Sequence, residues 1–343
     1  MSLRAGQPAM GGLFVRLVAL AMLLVAACAP FVNAPGQPVG TPVLGADGFR
    51  AADGALLPVK SWLPDKGPPK AVIVALHGFN DYSSFFVSPA LYLANAGIAS
   101  YAYDQRGFGA APGPGLWPGT AALTGDLKTF VKLIRARHPG VPLYLLGDSM
   151  GGAVIMVTAT RADPPKADGV VLVAPAVWGR ATMPWYQRFA LWLGAHTIPS
   201  AEITGQSLRI KPSDNIEMLR ALGRDPLVLK ATRIDAVWGL VDLMDAALDG
   251  AKGLTEPALI LYGEKDEIIP RRPTRAMLKR LPEAARATRR VAIYPEGYHM
   301  LLRDMGSETA WKDILGWMAD REKPLPSGAD QVARSWLAAP ADD

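Results

Sequence analysis

From about residue 46 onward, short β-branched apolar runs alternate with longer amphipathic stretches, the rhythm of a mostly parallel, twisted sheet flanked by helices. Six runs read as strands: AVIVAL at 71–76, IASYAY at 98–103, PLYLLG at 142–147, GVVLVA at 169–174, ALILYG at 258–263 and RVAIYP at 290–295. The intervening segments read as helices. In LTGDLKTFVKLIRARHPG, Leu127, Phe130, Val131 and Ile134 fall on one face before Pro139 and Gly140 stop the pattern. The regularity breaks once: about 80 residues separate GVVLVA from ALILYG, too many for one crossover helix. That gap predicts an insertion over residues 176–250, carrying Trp178, Trp185, Phe189, Trp192 and Trp238. Residues 324–343, with prolines and scattered charge, are expected to form a peripheral tail.

The start of the chain follows a different pattern. Arg4 and Arg16 precede the unbroken apolar run LVALAMLLVAA, which stops at Cys28. Eleven apolar residues fall short of the roughly 20 that a membrane-spanning helix needs, so the segment has the shape of a signal peptide. Val25, Ala26, Ala27 and Cys28 resemble the lipobox of bacterial lipoproteins, which implies removal of residues 1–27 and diacylation of Cys28. The chain has one cysteine, so this thiol has no disulfide partner within it. Two acyl chains anchor a protein stably where one does not. The next residue is Ala29, not the aspartate that often retains such proteins at an inner membrane. The expected location is therefore the bacterial cell envelope, on the periplasmic side of the outer membrane. Residues 28–45, rich in Pro and Gly, read as a tether to a domain spanning 46–323.

Composition narrows the remaining classes. A chain of 343 residues that is 50% hydrophobic can bury one large core. Loss of the two leader arginines lowers formal net charge from +5 to +3, too mild to argue for a nucleic-acid partner. One cysteine and four histidines are too few for a zinc cluster, and no G-x-x-x-x-G-K-[ST] motif occurs, so neither metal nor cofactor is expected. Oligomeric state leaves no mark on the sequence.

Chemistry concentrates at LYLLGDSMGGAVI, where a strand-like run passes through Gly147-Asp148-Ser149-Met150-Gly151 into a helix-like one. This is the setting in which G-x-S-x-G denotes a nucleophile elbow. Glycines two before and two after Ser149 leave room for a strained turn that lifts the hydroxyl clear of the sheet. A serine needs a base, and the base needs a carboxylate to fix its tautomer. His299, in YPEGYHM, is the one histidine downstream of Ser149 that lies just beyond a strand. His138, at a helix end, and His77 are expected to be structural, and His196 to sit in the insertion without a catalytic role. For the acid, Glu264, Asp266 and Glu267 all follow ALILYG. Asp266 fits best, its short side chain being turned toward the histidine while its neighbours are solvated. The backbone amides of Phe79, in the loop after AVIVAL, and of Met150 are the expected oxyanion hole. Asp104 and Arg106 read as a structural loop pair.

HGFNDYSSF, YDQRGFGAAPG, GDSMGG, RDPLVLKATRIDAVWGLVDLMDAA, YGEKDEIIP and YPEGYHMLLRD resemble the monoacylglycerol lipase and lysophospholipase branch of the α/β-hydrolases. The likeness runs from about residue 50 to 320, with the motifs in family order. It implies Ser149, Asp266 and His299 as the triad, Phe79 and Met150 as oxyanion amides, and a helical cap over residues 176–250. Two departures bear on substrate: Asp148 stands where that branch usually has histidine, and Gln105-Arg106 replaces a run that usually contains one.

The expected activity is hydrolysis of carboxylic esters of single-chain lipids through an acyl-enzyme. Trp185, Phe189 and Trp192, spaced at i, i+4 and i+7, either face acyl chains or bilayer, or pack on the cap's own core. A proline-type serine aminopeptidase shares fold and triad but needs an acidic site for a free amine. An acyltransferase, or a lipid-binding lipoprotein on an inactive scaffold, completes the alternatives.

Overall fold

The computed structural model describes residues 29–205 and 210–339. The leader and Cys28 lie outside the described residues. Among the described residues no helix is long and apolar enough to cross a membrane.

The chain opens with a small antiparallel sheet of β1 (Val43–Gly45), β2 (Gly48–Arg50) and β3 (Leu56–Leu57). The main sheet follows: β4 (Val59–Trp62), β5 (Ala71–Leu76), β6 (Ile98–Tyr103), β7 (Leu143–Asp148) and β8 (Gly169–Val173). After a ribbon formed by β9 (Glu202–Thr204) and β10 (Ala231–Arg233), it is completed by β11 (Ala258–Gly263) and β12 (Arg289–Tyr294). The seven strands lie in the order β12-β11-β8-β7-β5-β6-β4, all parallel except β4, which runs antiparallel to β6. This is the expected α/β-hydrolase architecture.

Every residue of β5, β6, β7, β8 and β11 is buried, because helices cover both faces. Alternation divides them between two cores. Val72, Val74 and Leu76 of β5 face Leu127, Phe130 and Ile134 of the helix Thr120–Arg137. Ala71, Ile73 and Ala75 face Leu93, Ile314 and Trp317 of the helices Val87–Asn95 and Ser307–Ala319. Each fully buried Leu, Ile or Phe contributes roughly 1.5–3 kcal/mol of transfer free energy.

From β5 the chain turns to β6 on one side and then returns to β7 on the other. The loops leaving β5 and β7 therefore diverge, opening a crevice at their carboxyl ends, the usual ligand position in such sheets. The insertion between β8 and β11 holds helices Trp185–Thr197 and Ile216–Arg224 and the β9–β10 ribbon, and its Trp178, Ile210 and Leu240 line the crevice. The following helix Ile234–Gly250 buries Leu243, Met244, Ala247 and Leu248 in the core.

Two segments sit closer to the body than their composition suggested. In the expected tether, Asn33 N–H donates to Trp117 O at 2.8 Å and Val39 N–H to Ala52 O at 2.8 Å, because the prolines and glycines there leave an extended backbone free to bond laterally. The expected peripheral tail forms the helix Ala329–Ala338, which buries Ala329, Ala333 and Trp336, the indole lying 5.8 Å from the Tyr262 ring. One amphipathic stripe outweighs the scattered charge around it.

Candidate active site

Ser149 joins β7 to the helix Met150–Ala159 with φ +50° and ψ −112°. A side-chain-bearing residue at positive φ costs about 1–3 kcal/mol and persists only where its surroundings over-determine it. Here Ser149 N–H donates to Val173 O at 2.9 Å, and Ser149 O accepts from Ala176 N at 2.9 Å and Ala153 N at 3.1 Å. A Cβ on Gly147 would overlap the backbone of Gly151 and Gly152, and one on Gly151 would overlap Leu76 O. The corner closes only with glycine at both positions. The hydroxyl is raised at the helix start, and the Met150 N–H, first of its helix, has no acceptor one turn back.

His299 follows β12 and is 5% exposed, and its Nδ1 lies 2.8 Å from Asp266 Oδ2. The other carboxylate oxygen, Oδ1, accepts from Ile268 N at 2.8 Å and Ile269 N at 2.9 Å, fixing the orientation of the group. Nδ1 bonded to a carboxylate carries the proton, so Nε2 is the nitrogen left to accept one. Burial alone would push the imidazole down. The charge and hydrogen bond of Asp266, with the charge of Asp148, hold it above its ordinary value of 6.5. Ser149 and His299 line one cavity of about 410 Å³. Among the described residues Ser149 Oγ makes no hydrogen bond, and the hydrogen bond of the His299 ring is to Asp266.

Phe79, from the loop after β5, lines the same cavity as Ser149, and Met150 directly follows Ser149 at the end of β7. His77 braces that loop from beneath. Its Nε2 accepts from Gln105 N at 2.9 Å, so Nδ1 is the protonated nitrogen donating to Gly78 O at 2.8 Å, and burial holds the ring below its ordinary value. His138 meets Tyr101 OH at 2.7 Å, and His196 packs against Trp192 and Trp238 in the cap, all three in structural positions. Of the two other acids, Glu264 pairs with Arg271, and Glu267 sits exposed at the cavity rim, accepting from Lys211 N at 2.8 Å.

Asp104 and Arg106 are both held in structural bonds, as expected, but with other partners and not with each other. Arg106 reaches Asp53 at 2.7 Å and Asp126 at 2.6 Å, since a guanidinium fork satisfies two carboxylates bidentately. Asp104 instead accepts from the amides of Ser83 at 3.0 Å and Ala110 at 2.9 Å, which otherwise lack an acceptor. Sequence reasoning also passed over Arg303, four residues beyond His299. It pairs with Asp81 at 2.5 Å, both largely buried at the cavity wall. The i+4 spacing in YHMLLRD was the available signal; the partner, 222 residues away in sequence, left none. Asp148 lies in the same wall, 5% exposed, its carboxyl pushed up to about 6 chiefly by burial.

The rest of the cavity is apolar, built by Trp178, Ile210, Leu240, Met244, Ile268 and Ile269. The cap clasps the rim on two sides. Met300 N–H donates to Pro212 O at 2.9 Å and Ser213 Oγ to Asp304 Oδ1 at 2.6 Å beside the histidine, while Asn80 Nδ2 donates to Thr232 Oγ1 at 2.7 Å beside Phe79. The outer face of the helix Trp185–Thr197 is turned to solvent, with Trp185 71% and Phe189 56% exposed. No cluster of side chains suited to a metal ion occurs among the described residues.

A family model described as serine aminopeptidase, S33, matches residues 67–306. A monoacylglycerol lipase from Mycolicibacterium smegmatis is 25% identical over 288 residues, covering 79% of this chain and 95% of its own. Human monoglyceride lipase is 26% identical over 287 residues, covering 79% and 89%. A soluble variant of monoglyceride lipase from Saccharomyces cerevisiae, solved with a substrate analogue, superposes with a TM-score of 0.68 at 21% identity, covering 84% of this chain and 99% of its own, a likeness of fold.

Proposed function

The chain belongs to the serine aminopeptidase S33 family of α/β-hydrolases and is a serine ester hydrolase of the monoacylglycerol-lipase type, and from that premise we propose that it cleaves single-chain lipid esters, monoacylglycerols or lysophospholipids. The observation that carries the mechanism is the buried His299–Asp266 pair sharing a cavity with the strained Ser149. Ser149 Oγ attacks the ester carbonyl as His299 Nε2 takes its proton, and Asp266 stabilises the imidazolium that forms. The Phe79 and Met150 amides receive the oxyanion, worth about 3 kcal/mol per donor. His299 then protonates the departing alcohol, and water activated by the same nitrogen releases the acid.

Support for a lipid comes from the lining of the cavity. Its many apolar residues suit an acyl chain, while Asp81, Arg303 and Asp148 add polar groups that suit the alcohol. The aminopeptidase reading is less favoured, because Asp81 is already paired with Arg303 and the unpaired Oδ1 of Asp148 is sealed from solvent, so neither offers a free amine an open carboxylate. The exposed aromatic face of the cap fits delivery from a lipid surface, and diacylation of Cys28 would hold the enzyme there, at the periplasmic side of a bacterial outer membrane. Replacing Cys28 with serine should abolish acylation and release the protein from membranes.

The deciding experiment is a hydrolysis panel of monoacylglycerols, lysophospholipids, short aryl esters and aminoacyl arylamides, run beside Ser149→Ala. Lipid esters should turn over fastest and the variant should lose at least about 10³-fold. Arylamide turnover without ester turnover would replace the substrate assignment, and unchanged turnover in the variant would remove the mechanism.

A further inference from the structure

We propose that Asp148 is a positioning residue acting through His299: its buried, donor-free carboxyl lines the same cavity as the imidazole, and the two groups act on Ser149 as one unit. This rests on His299 being that base. The placement is fixed by the fold. Asp148 is the last residue of β7, in register with Val173 of β8, so its backbone cannot swing away. A Cβ on Gly78 would lie 3.4 Å from its Oδ2, which sets the carboxyl directly beneath the loop that carries Phe79. Its Oδ1 is sealed from solvent and has no hydrogen-bond partner.

A buried carboxylate oxygen with no donor is costly unless a proton or a nearby positive charge relieves it. The charged groups that face Asp148 are His299 and Arg303 from the segment after β12, Asp81 from the loop after β5, and Asp266 from the loop after β11. Glu267 lines the same cavity at its exposed rim. Arg303 is held by Asp81 at 2.5 Å and Asp266 is saturated by two amides and the ring, which leaves Asp148 without a dedicated counter-charge. Burial lifts its carboxyl to about 6, with His299 and Arg303 opposing and Asp81 and Asp266 adding. Seen from the ring, the charge of Asp148 raises the imidazole in turn.

Two groups that alter each other's affinity titrate as a pair. As acid is added, the first proton taken from water divides between them. On Asp148 it leaves the imidazole neutral and able to deprotonate Ser149; on His299 it stops the chemistry. A histidine at position 148, usual in the branch that this chain resembles, carries no negative charge and could not act this way.

Asp148→Asn keeps the shape and removes the charge. The readout is the rate of inactivation by a fluorophosphonate between about pH 4.5 and pH 9. That rate needs the triad and its surroundings but no lipid substrate, so it survives an error in the lipid assignment, whereas a probe that never reacts would strike the triad itself. The acid-limb midpoint should fall by several tenths to about one pH unit in the variant. A midpoint coinciding with that of the unsubstituted protein overturns the proposal, since a merely structural carboxylate changes stability or amplitude and not the midpoint. If the variant does not fold, histidine-labelled NMR of the unsubstituted protein decides. A two-step His299 titration supports the coupled pair, and a single-site curve overturns it.

Discussion

At the elbow, Ser149 is held at φ +50° by three backbone hydrogen bonds and by two glycines whose neighbours leave no space for a Cβ. The helix Trp185–Thr197 of the insertion buries only Ala195 and turns Trp185, Tyr186 and Phe189 to solvent. Other parts of the insertion are tied to the rim on two sides, through bonds that include Pro212–Met300, Ser213–Asp304, Asn215–Arg303, Asn80–Thr232 and Tyr82–Asp225. The contrast teaches a division of labour. Attack on a carbonyl needs reacting atoms placed to a fraction of an ångström, which requires a corner with no alternative packing. The proposed uptake of a flexible chain from a lipid surface needs an apolar face that remains unpartnered until the surface arrives.

Substitutions on the two sides should therefore fail differently. The largest effect is expected for Asp266→Asn, which keeps the shape but disturbs the tautomer of His299. Ester kcat should fall about 10⁴-fold with the melting temperature nearly unchanged, and steady-state kinetics with calorimetry check both. Next comes Gly151→Ala, where the added methyl meets Leu76 O: a loss of about 3 kcal/mol or more in urea unfolding is expected, taking activity with it. Were that variant stable and active, the elbow would be looser than its geometry implies. The smallest effect on chemistry, and the sharpest test of the contrast, is Trp185→Asp combined with Phe189→Asp. Turnover of a soluble short-chain ester should stay within about twofold, while vesicle binding and turnover of dispersed monoacylglycerol fall about tenfold as interfacial area is lost. Equal losses on both substrates would mean that the cap helix supports the site and not the encounter with lipid.

Much of this division was legible beforehand, for reasons particular to each element. The strands β5, β6, β7, β8 and β11 announce themselves because covering both faces of a parallel sheet demands unbroken apolar runs. The edge strand β4, VKSW, is half-exposed and short, and gives no such signal. Ser149, Asp266 and His299 could be named because each follows a recognisable strand, and the fold gathers strand ends at one rim. Arg106 could not be given its partners, since Asp53 and Asp126 reach it through three-dimensional packing alone. The exposure of Trp185 and Phe189 was equally undecided, because an aromatic stripe has the same spacing whether it meets a core or water.

By itself, then, the sequence determined what depends on local order and residue type: which apolar runs become the covered strands of the main sheet, where glycine permits the corner at Ser149, and which acid and histidine follow the later strands. Only the tertiary structure decided what depends on partners brought together from afar: that Asp81 neutralises Arg303 at the cavity wall, that Asp148 is sealed beside His299 without a donor, and that the cap's aromatic face stays uncovered. The physical reason is that backbone propensity and hydrophobic period act within a few residues, whereas burial and Coulomb interaction depend on distance in space, which chain order does not fix.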